Sequence, residues 1–200
     1  DPEGMLGESI SPDQIIGCVL YPAVVLESHG VKRHIEGNRL SLGELDNEST
    51  ERCRQLAIIL KKAGFKAPIR KNIRQDIWVK LLGNVAFNPI SALTRATLIQ
   101  IASFDKTRFL VKEIMTEVAN VATKLGIELP ISIDQRIEGA AGVGSHETSM
   151  LQDIQYGRPM EIDSIIGAVV EMGNLVGVEM PYTQAVYACV SLLDNSVKNT

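Results

Sequence analysis

The stretch DIWVKLLGNVAFNPISAL, residues 76–93, decides how this chain is read. Nearly every position is apolar, and residues 81–93 carry no charge at all. Beyond Asp76 at its start and Ser91 near its end, the polar exceptions are Lys80, Asn84 and Asn88, spaced four apart. That interval stacks them along one face of a helix. The helix is predicted to open at Asn72 and to kink or end by Asn88, because proline at position 89 disfavours helical backbone in the residue before it. A solvated stripe ordinarily carries several Glu and Lys, whereas this one holds a single amine followed by two amides. Spacing alone leaves two readings open. One is a surface stripe. The other is a polar site in apolar surroundings, with one proton donor and two groups that both donate and accept, suited to a carboxylate or carbonyl.

Working outward, the sequence before this helix is β-like. Residues 15–26 (IIGCVLYPAVVL) are rich in β-branched side chains and interrupted by Pro22, which predicts an edge strand or a bulge. Residues 31–35 (VKRHI) alternate as a half-buried strand does, and residues 40–43 read as another short strand. The expectation is a small meander or the edge of a larger sheet over residues 1–45. Residues 46–200 are predicted to be helical. Asn47 or Ser49 caps a helix through Lys62 that Gly64 ends, and residues 67–70 are extended. Further helices are expected over 107–125, from Pro130 to about 138, over 149–155, over 161–175 with Gly177 as the stop, and from Pro181 through 193. Residues 139–144, glycine-rich, are predicted to be a flexible break. They lack the strand-then-helix setting of a phosphate loop.

Composition narrows the function classes. Two hundred residues with 45% hydrophobic and 22% charged side chains, 16 Gly and 8 Pro are ordinary globular usage. The formal charge of −4 offers no basic footprint for nucleic acid. No apolar run is long enough to span a membrane, and no signal peptide is expected. Asp1 stands where a start methionine would, so the chain is expected to be cut from something longer. Cys18, Cys53 and Cys189 make neither a disulfide framework nor a zinc site and fit a reducing cytoplasm. His29, His34 and His146 have no ligand spacing, so no metal is expected. No G-x-S-x-G nucleophile motif is present. A second polar cluster, SMLQD at 149–153 followed by Glu161 and Asp163, reads most simply as helix capping and N-terminal acid placement.

These residues carry a resemblance. The 76–93 stretch, with a lysine, an asparagine four residues on and an Asn-Pro four beyond, resembles the central motif of the ketopantoate reductase (2-dehydropantoate 2-reductase) family. Ser149 with Glu161 twelve residues later resembles its second signature, and residues 30–44 are similar to the last strands of its dinucleotide-binding domain. The resemblance implies a mainly α fold: a helical domain of the 6-phosphogluconate-dehydrogenase-like type, preceded by a small β remnant of a truncated Rossmann-like domain. It implies NADPH-dependent reduction of 2-dehydropantoate to pantoate in pantothenate and coenzyme A biosynthesis. NADP would be held mainly by the missing N-terminal domain, since no G-x-G-x-x-G loop is present here. By carry-over, Lys80 is the catalytic residue that protonates the ketone oxygen. Asn84 and Asn88 orient the keto acid and its hydroxyl, and Ser149 binds the carboxylate. Glu161 lies near the ribose or hydroxyl groups and keeps the amine charged. The partners implied are a small 2-keto acid and a second copy in a homodimer. Two alternatives stand beside this: a reductase of another 2-keto acid, or, for the chain by itself, an inactive helical dimerisation module.

Overall fold

A computed structural model describes residues 5–28, 30–145 and 147–198. His29, His146 and the N-terminal Asp1, all used in the sequence reading, lie outside the described residues. The described residues divide into two compact units, one over 5–77 and one over 78–198.

The first unit holds a short helix α1 (Met5–Ser9), strands β1 (Ile16–Leu20), β2 (Ala23–Ser28), β3 (Val31–Glu36) and β4 (Leu40–Glu44), and helix α2 (Glu51–Lys62). β1 pairs antiparallel with β4, and β2 with β3. The expected meander is therefore corrected: two separate two-stranded pairings form, with the β2–β3 hairpin inserted between β1 and its partner. Pro22 separates β1 from β2, since it has no N–H to give a ladder, and the β2–β3 pairing shifts register just after it, between Ala23 and Val24, as an expected bulge would. β3 alternates in sequence, yet all six of its residues are exposed. The expected extended piece runs beside β4, with Leu40 N–H donating to Lys66 O at 2.8 Å and Leu42 N–H to Pro68 O at 3.0 Å. α2 is capped by Thr50, whose side chain accepts from Cys53 N, and not by Asn47 or Ser49. Thr50 is held there because its hydroxyl also donates to the buried Glu44 carboxylate. Glu44 further accepts from Arg52 Nε at 2.8 Å, and these partners hold its pKa down at about 2. A small core of Leu42, Cys53, Ala57 and Ala67 closes the unit.

Helix α3 (Ile73–Thr94) begins in the first unit and contributes its larger part to the second. It does not end at Asn88. It continues through Pro89, whose ring costs the helix about 3 kcal/mol by removing a donor and crowding the preceding turn. Val85, Ala86, Phe87, Ile90 and Ala92 are all buried, and burial of side chains like Phe87 and Ile90 is worth about 1.5–3 kcal/mol each. The apolar run outweighs the proline.

The second unit continues with α4 (Leu98–Ser103), α5 (Asp105–Lys124), α6 (Ile133–Gly142), α7 (Ser149–Gln155), a π-helical turn (Asp163–Gly167), α8 (Ala168–Val176) and α9 (Pro181–Lys198). α5 packs against α4, α6, α8 and α9, and buries Val111, Ile114, Met115, Val118 and Val121. Its one buried acid, Glu117, accepts from Tyr182 N at 2.9 Å, Thr183 N at 2.8 Å and Thr183 Oγ at 2.6 Å. It thereby satisfies the open N–H groups at the start of α9. α6 starts later and ends later than expected. Ser132 and Gln135 form a reciprocal capping box at its start, and Ile137 and Ala140 fasten it to the core, so Gly139 and Gly142 are helical and not a flexible break. Gly177 adopts φ 68° and stops α8, as expected. No helix among the described residues is long and apolar enough to cross a membrane.

Candidate active site

α3 presents Lys80, Gly83, Asn84, Phe87 and Asn88 along one face, and these line a single cavity of about 340 Å³ within the second unit. α6 adds Arg136, Ala140 and Val143, again a helical stripe by spacing. The start of α7 adds Thr148 and Ser149, and the segment before α8 adds Glu161 and Ile165. All five residues singled out in the sequence, Lys80, Asn84, Asn88, Ser149 and Glu161, therefore meet at one place.

Their surroundings differ. Asn88 is buried at 6% exposure, Lys80 and Asn84 are half-buried, and Ser149 and Glu161 are exposed. Ser149 does not cap α7. Thr148 does, its hydroxyl oxygen accepting from Leu151 N at 3.2 Å, and it is buried at 6% exposure. Ser149 is thus relieved of the capping role and stands at the cavity as the first residue of the helix. Glu161 makes no side-chain cap for the turn that follows. That turn is π-helical, and Tyr187 donates to Asp163 Oδ1 at 2.7 Å across it. The hydrogen bond to the carboxylate raises the Tyr187 pKa. Turns of this width gather at functional sites because they re-aim the residues beside them.

Arg136 was missed by sequence reasoning. It lies half-buried on α6, and its Nε donates to Val79 O at 3.3 Å. Its guanidinium rests against α3 where Gly83 has no side chain. A Cβ at that position would collide with Nη2 and Cζ and come within 2.9 Å of Nε. The signal available was the spacing of Arg136, Ala140 and Val143, one cation on an otherwise small and apolar stripe. Chemically, the cavity combines an ammonium, a guanidinium, a carboxylate, two amides and two hydroxyls over apolar walls from Phe87, Leu98 and Ile165. Such a set fits a small polar anion held in a fixed orientation. No cluster of three metal-ligating side chains occurs among the described residues.

The chain is similar to known proteins over most of its length. The family model for the C-terminal part of ketopantoate reductase (PanE/ApbA) matches residues 72–194. A 2-dehydropantoate 2-reductase from Mesorhizobium japonicum is 49% identical over 193 residues, covering 96% of this chain and 59% of that protein. The chain thus spans well under two thirds of that relative's length. The crystal structure of a 2-dehydropantoate 2-reductase from Methylococcus capsulatus superposes with a TM-score of 0.86 at 30% identity, covering 94% of this chain and 68% of that one. A D-mandelate dehydrogenase solved with NADH and anilino(oxo)acetate shares the fold, with a TM-score of 0.87 at 24% identity over 99% of this chain and 66% of its own.

Proposed function

The chain belongs to the ketopantoate reductase family, and from that premise we propose that it is the substrate-holding part of an NADPH-dependent enzyme that reduces 2-dehydropantoate to pantoate. One observation carries the reading: Lys80, Asn84, Asn88, Ser149 and Glu161, separated by up to 81 positions in sequence, line one cavity of about 340 Å³. That volume suits a small keto acid and the reacting end of a nicotinamide, not a whole dinucleotide.

When bound, the nicotinamide supplies a hydride. The chain's own residues do the rest. Lys80 Nζ stands at the carbonyl oxygen of the keto acid, stabilises the negative charge that develops there and delivers the proton that quenches it. Asn84 and Asn88 orient the carbonyl and the substrate hydroxyl through groups that both donate and accept. Ser149 donates to the carboxylate. Glu161 holds the ammonium in place and accepts from a ribose hydroxyl of the cofactor, the remaining cofactor contacts falling to a dinucleotide-binding domain of the full-length protein. The resemblance of residues 30–44 to the last strands of a dinucleotide-binding domain supports the accompanying proposal that β1–β4 complete that domain. The setting proposed is the cytoplasm, and the assembly a homodimer.

The test is NADPH oxidation by the full-length protein with 2-dehydropantoate, followed at the nicotinamide absorbance. Lys80→Ala should lower turnover by about 10²- to 10⁴-fold while the circular dichroism spectrum is retained. Near-normal turnover in that variant would sink the mechanism.

A further inference from the structure

The carboxylate of Glu161 serves the cavity only if it is aimed there, and the residues that aim it stand on α9. Glu161 lies at the tip of a three-residue turn, closed where Ile162 N–H donates to Met160 O at 2.9 Å. Met160 and Ile162 are buried, whereas Glu161 between them is exposed and lines the cavity. We propose that Tyr187 and Asp194 are positioning residues that hold this turn, one on each side of Glu161, and that position 167 is glycine in order to admit the Tyr187 hydroxyl. The inference rests on the reading of Glu161 as a working group of a 2-keto acid reductase.

Three observations support it. First, the two bonds straddle Glu161. Asp194 Oδ1 accepts from Met160 N at 2.9 Å, and the Tyr187 hydroxyl donates to Asp163 Oδ1 at 2.7 Å. Tyr187 and Asp194 lie seven residues apart, so they share one face of α9 two turns apart. Both sides of the turn are thereby fixed to a single helix. Second, α9 carries an acid where packing alone asks for an apolar side chain. Thr183, Val190 and Asp194 are all buried on that helix, and a buried carboxylate is costly unless its oxygens are bonded. The Met160 N–H is among the partners that make it tolerable. Third, the π-helical turn is cut to fit the tyrosine. Glycine is the poorest residue after proline for helical backbone, and Gly167 ends that turn. A Cβ there would stand 2.9 Å from the Tyr187 hydroxyl oxygen, 3.4 Å from Cζ and 3.6 Å from the Asp163 Cβ. The glycine leaves room for the bond between the other two side chains.

The experiment places Tyr187→Phe, Gly167→Ala and Asp194→Ala in the full-length protein, each in the wild-type background and in Glu161→Ala. The cycles are read in kcat/KM for 2-dehydropantoate and again in Kd for NADPH, which needs no turnover. Tyr187→Phe should lower kcat/KM by about 3- to 10-fold in the wild-type background, the loss expected of one hydrogen bond, and by less than about twofold in Glu161→Ala, where no carboxylate remains to be aimed. Gly167→Ala keeps the tyrosine but pushes its hydroxyl off Asp163, and should reproduce both results. Asp194→Ala should lose about 10-fold or more in the wild-type background, again with little further loss in Glu161→Ala. Should Asp194→Ala fail to fold, Tyr187→Phe decides, since the bond it removes is exposed and the ring is kept. A merely structural role predicts the same loss in both backgrounds, and that result overturns the proposal. If wild type neither binds NADPH nor reduces a 2-keto acid, or if Glu161→Ala equals wild type, the reading of Glu161 falls and this inference falls with it. Active wild type, an impaired Glu161→Ala and indifferent Tyr187→Phe and Gly167→Ala sink the inference alone.

Discussion

Replacing Glu117 by glutamine should cost the helical unit about 3 kcal/mol. The carboxylate sits at 7% exposure and accepts three hydrogen bonds, two from the backbone of Tyr182 and Thr183 and one from the Thr183 hydroxyl. Bonds to a charged acceptor contribute about 1.5–3 kcal/mol each, and an anion at a helix N-terminus adds about 0.3–2 kcal/mol. These figures are not additive within one network. Glutamine with its carbonyl oxygen where Oε2 stands keeps both Thr183 contacts as neutral bonds and turns an amide N–H₂ toward the Tyr182 N–H, which cannot accept. One charged bond and the dipole contribution are lost and two bonds to a charged acceptor weaken to neutral ones, which comes to about 3 kcal/mol. Trp78, the single tryptophan, is buried in the same unit at 6% exposure, so its fluorescence during a urea titration reports the relevant transition. Pairing Glu117→Gln with Thr183→Val in a double-mutant cycle should show a coupling of about 1 kcal/mol or more, since the two side chains share a bond. A Glu117→Gln variant within about 0.5 kcal/mol of wild type would refute the argument, and with it the assignment of Glu117 as the cap of α9.

In the first unit, the Arg52 and Thr50 bonds hold Glu44 at about 2 when folded against 4.5 when unfolded, so its contribution is present above pH 4.5 and is lost as pH falls toward 2. The shift corresponds to about 3 kcal/mol in full, and the 41% exposure of Arg52 screens it to about 1–2 kcal/mol. Amide exchange in α2, corrected for intrinsic rates, should lose protection over that window in wild type and be flat and lower in Glu44→Gln; parallel profiles would contradict the assignment. Thiol labelling should divide two to one: Cys18 and Cys189 are exposed and react promptly, whereas Cys53 is fully buried, its pKa raised by that burial, and waits for opening of the unit. Three equally fast thiols would mean that the small core around Leu42 is not closed.

The stripe on α3 was legible because a helix has a fixed period: once residues 76–93 are helical, Lys80, Asn84 and Asn88 must share a face. The convergence of Ser149 and Glu161 on that face came from family resemblance, since nothing local in the 149–163 segment distinguishes binding from capping. Local rules failed where tertiary burial overrode them. Pro89 would end an isolated helix, but Phe87 and Ile90 on either side are buried and carry the helix on to Thr94. Gly139 and Gly142 would loosen an isolated segment, but Ile137 and Ala140 pin it. α4 was overlooked although Thr97 and Gln100 announce it, the Gln100 side chain accepting from Thr97 N at 2.9 Å. Arg136 was illegible for a different reason. Its meaning depends on Gly83, 53 positions away, and neither residue is unusual until the two helices meet.

The π-helical turn between Glu161 and α8 has a consequence for how such a site varies. A turn of this kind holds one residue more than the helix around it, and each residue of a helix rotates the next by about 100°. Deleting a single residue from Asp163–Gly167 would let the rest tighten into an ordinary turn that sweeps nearly the same total angle, so Glu161 upstream and Ile166 and Val169 downstream would keep their facings. The extra residue is absorbed locally, where Asp163 accepts from Tyr187, and the segment's length is free to change by one without turning Glu161 away from the cavity. An inventory of substitutions would pass over such a change.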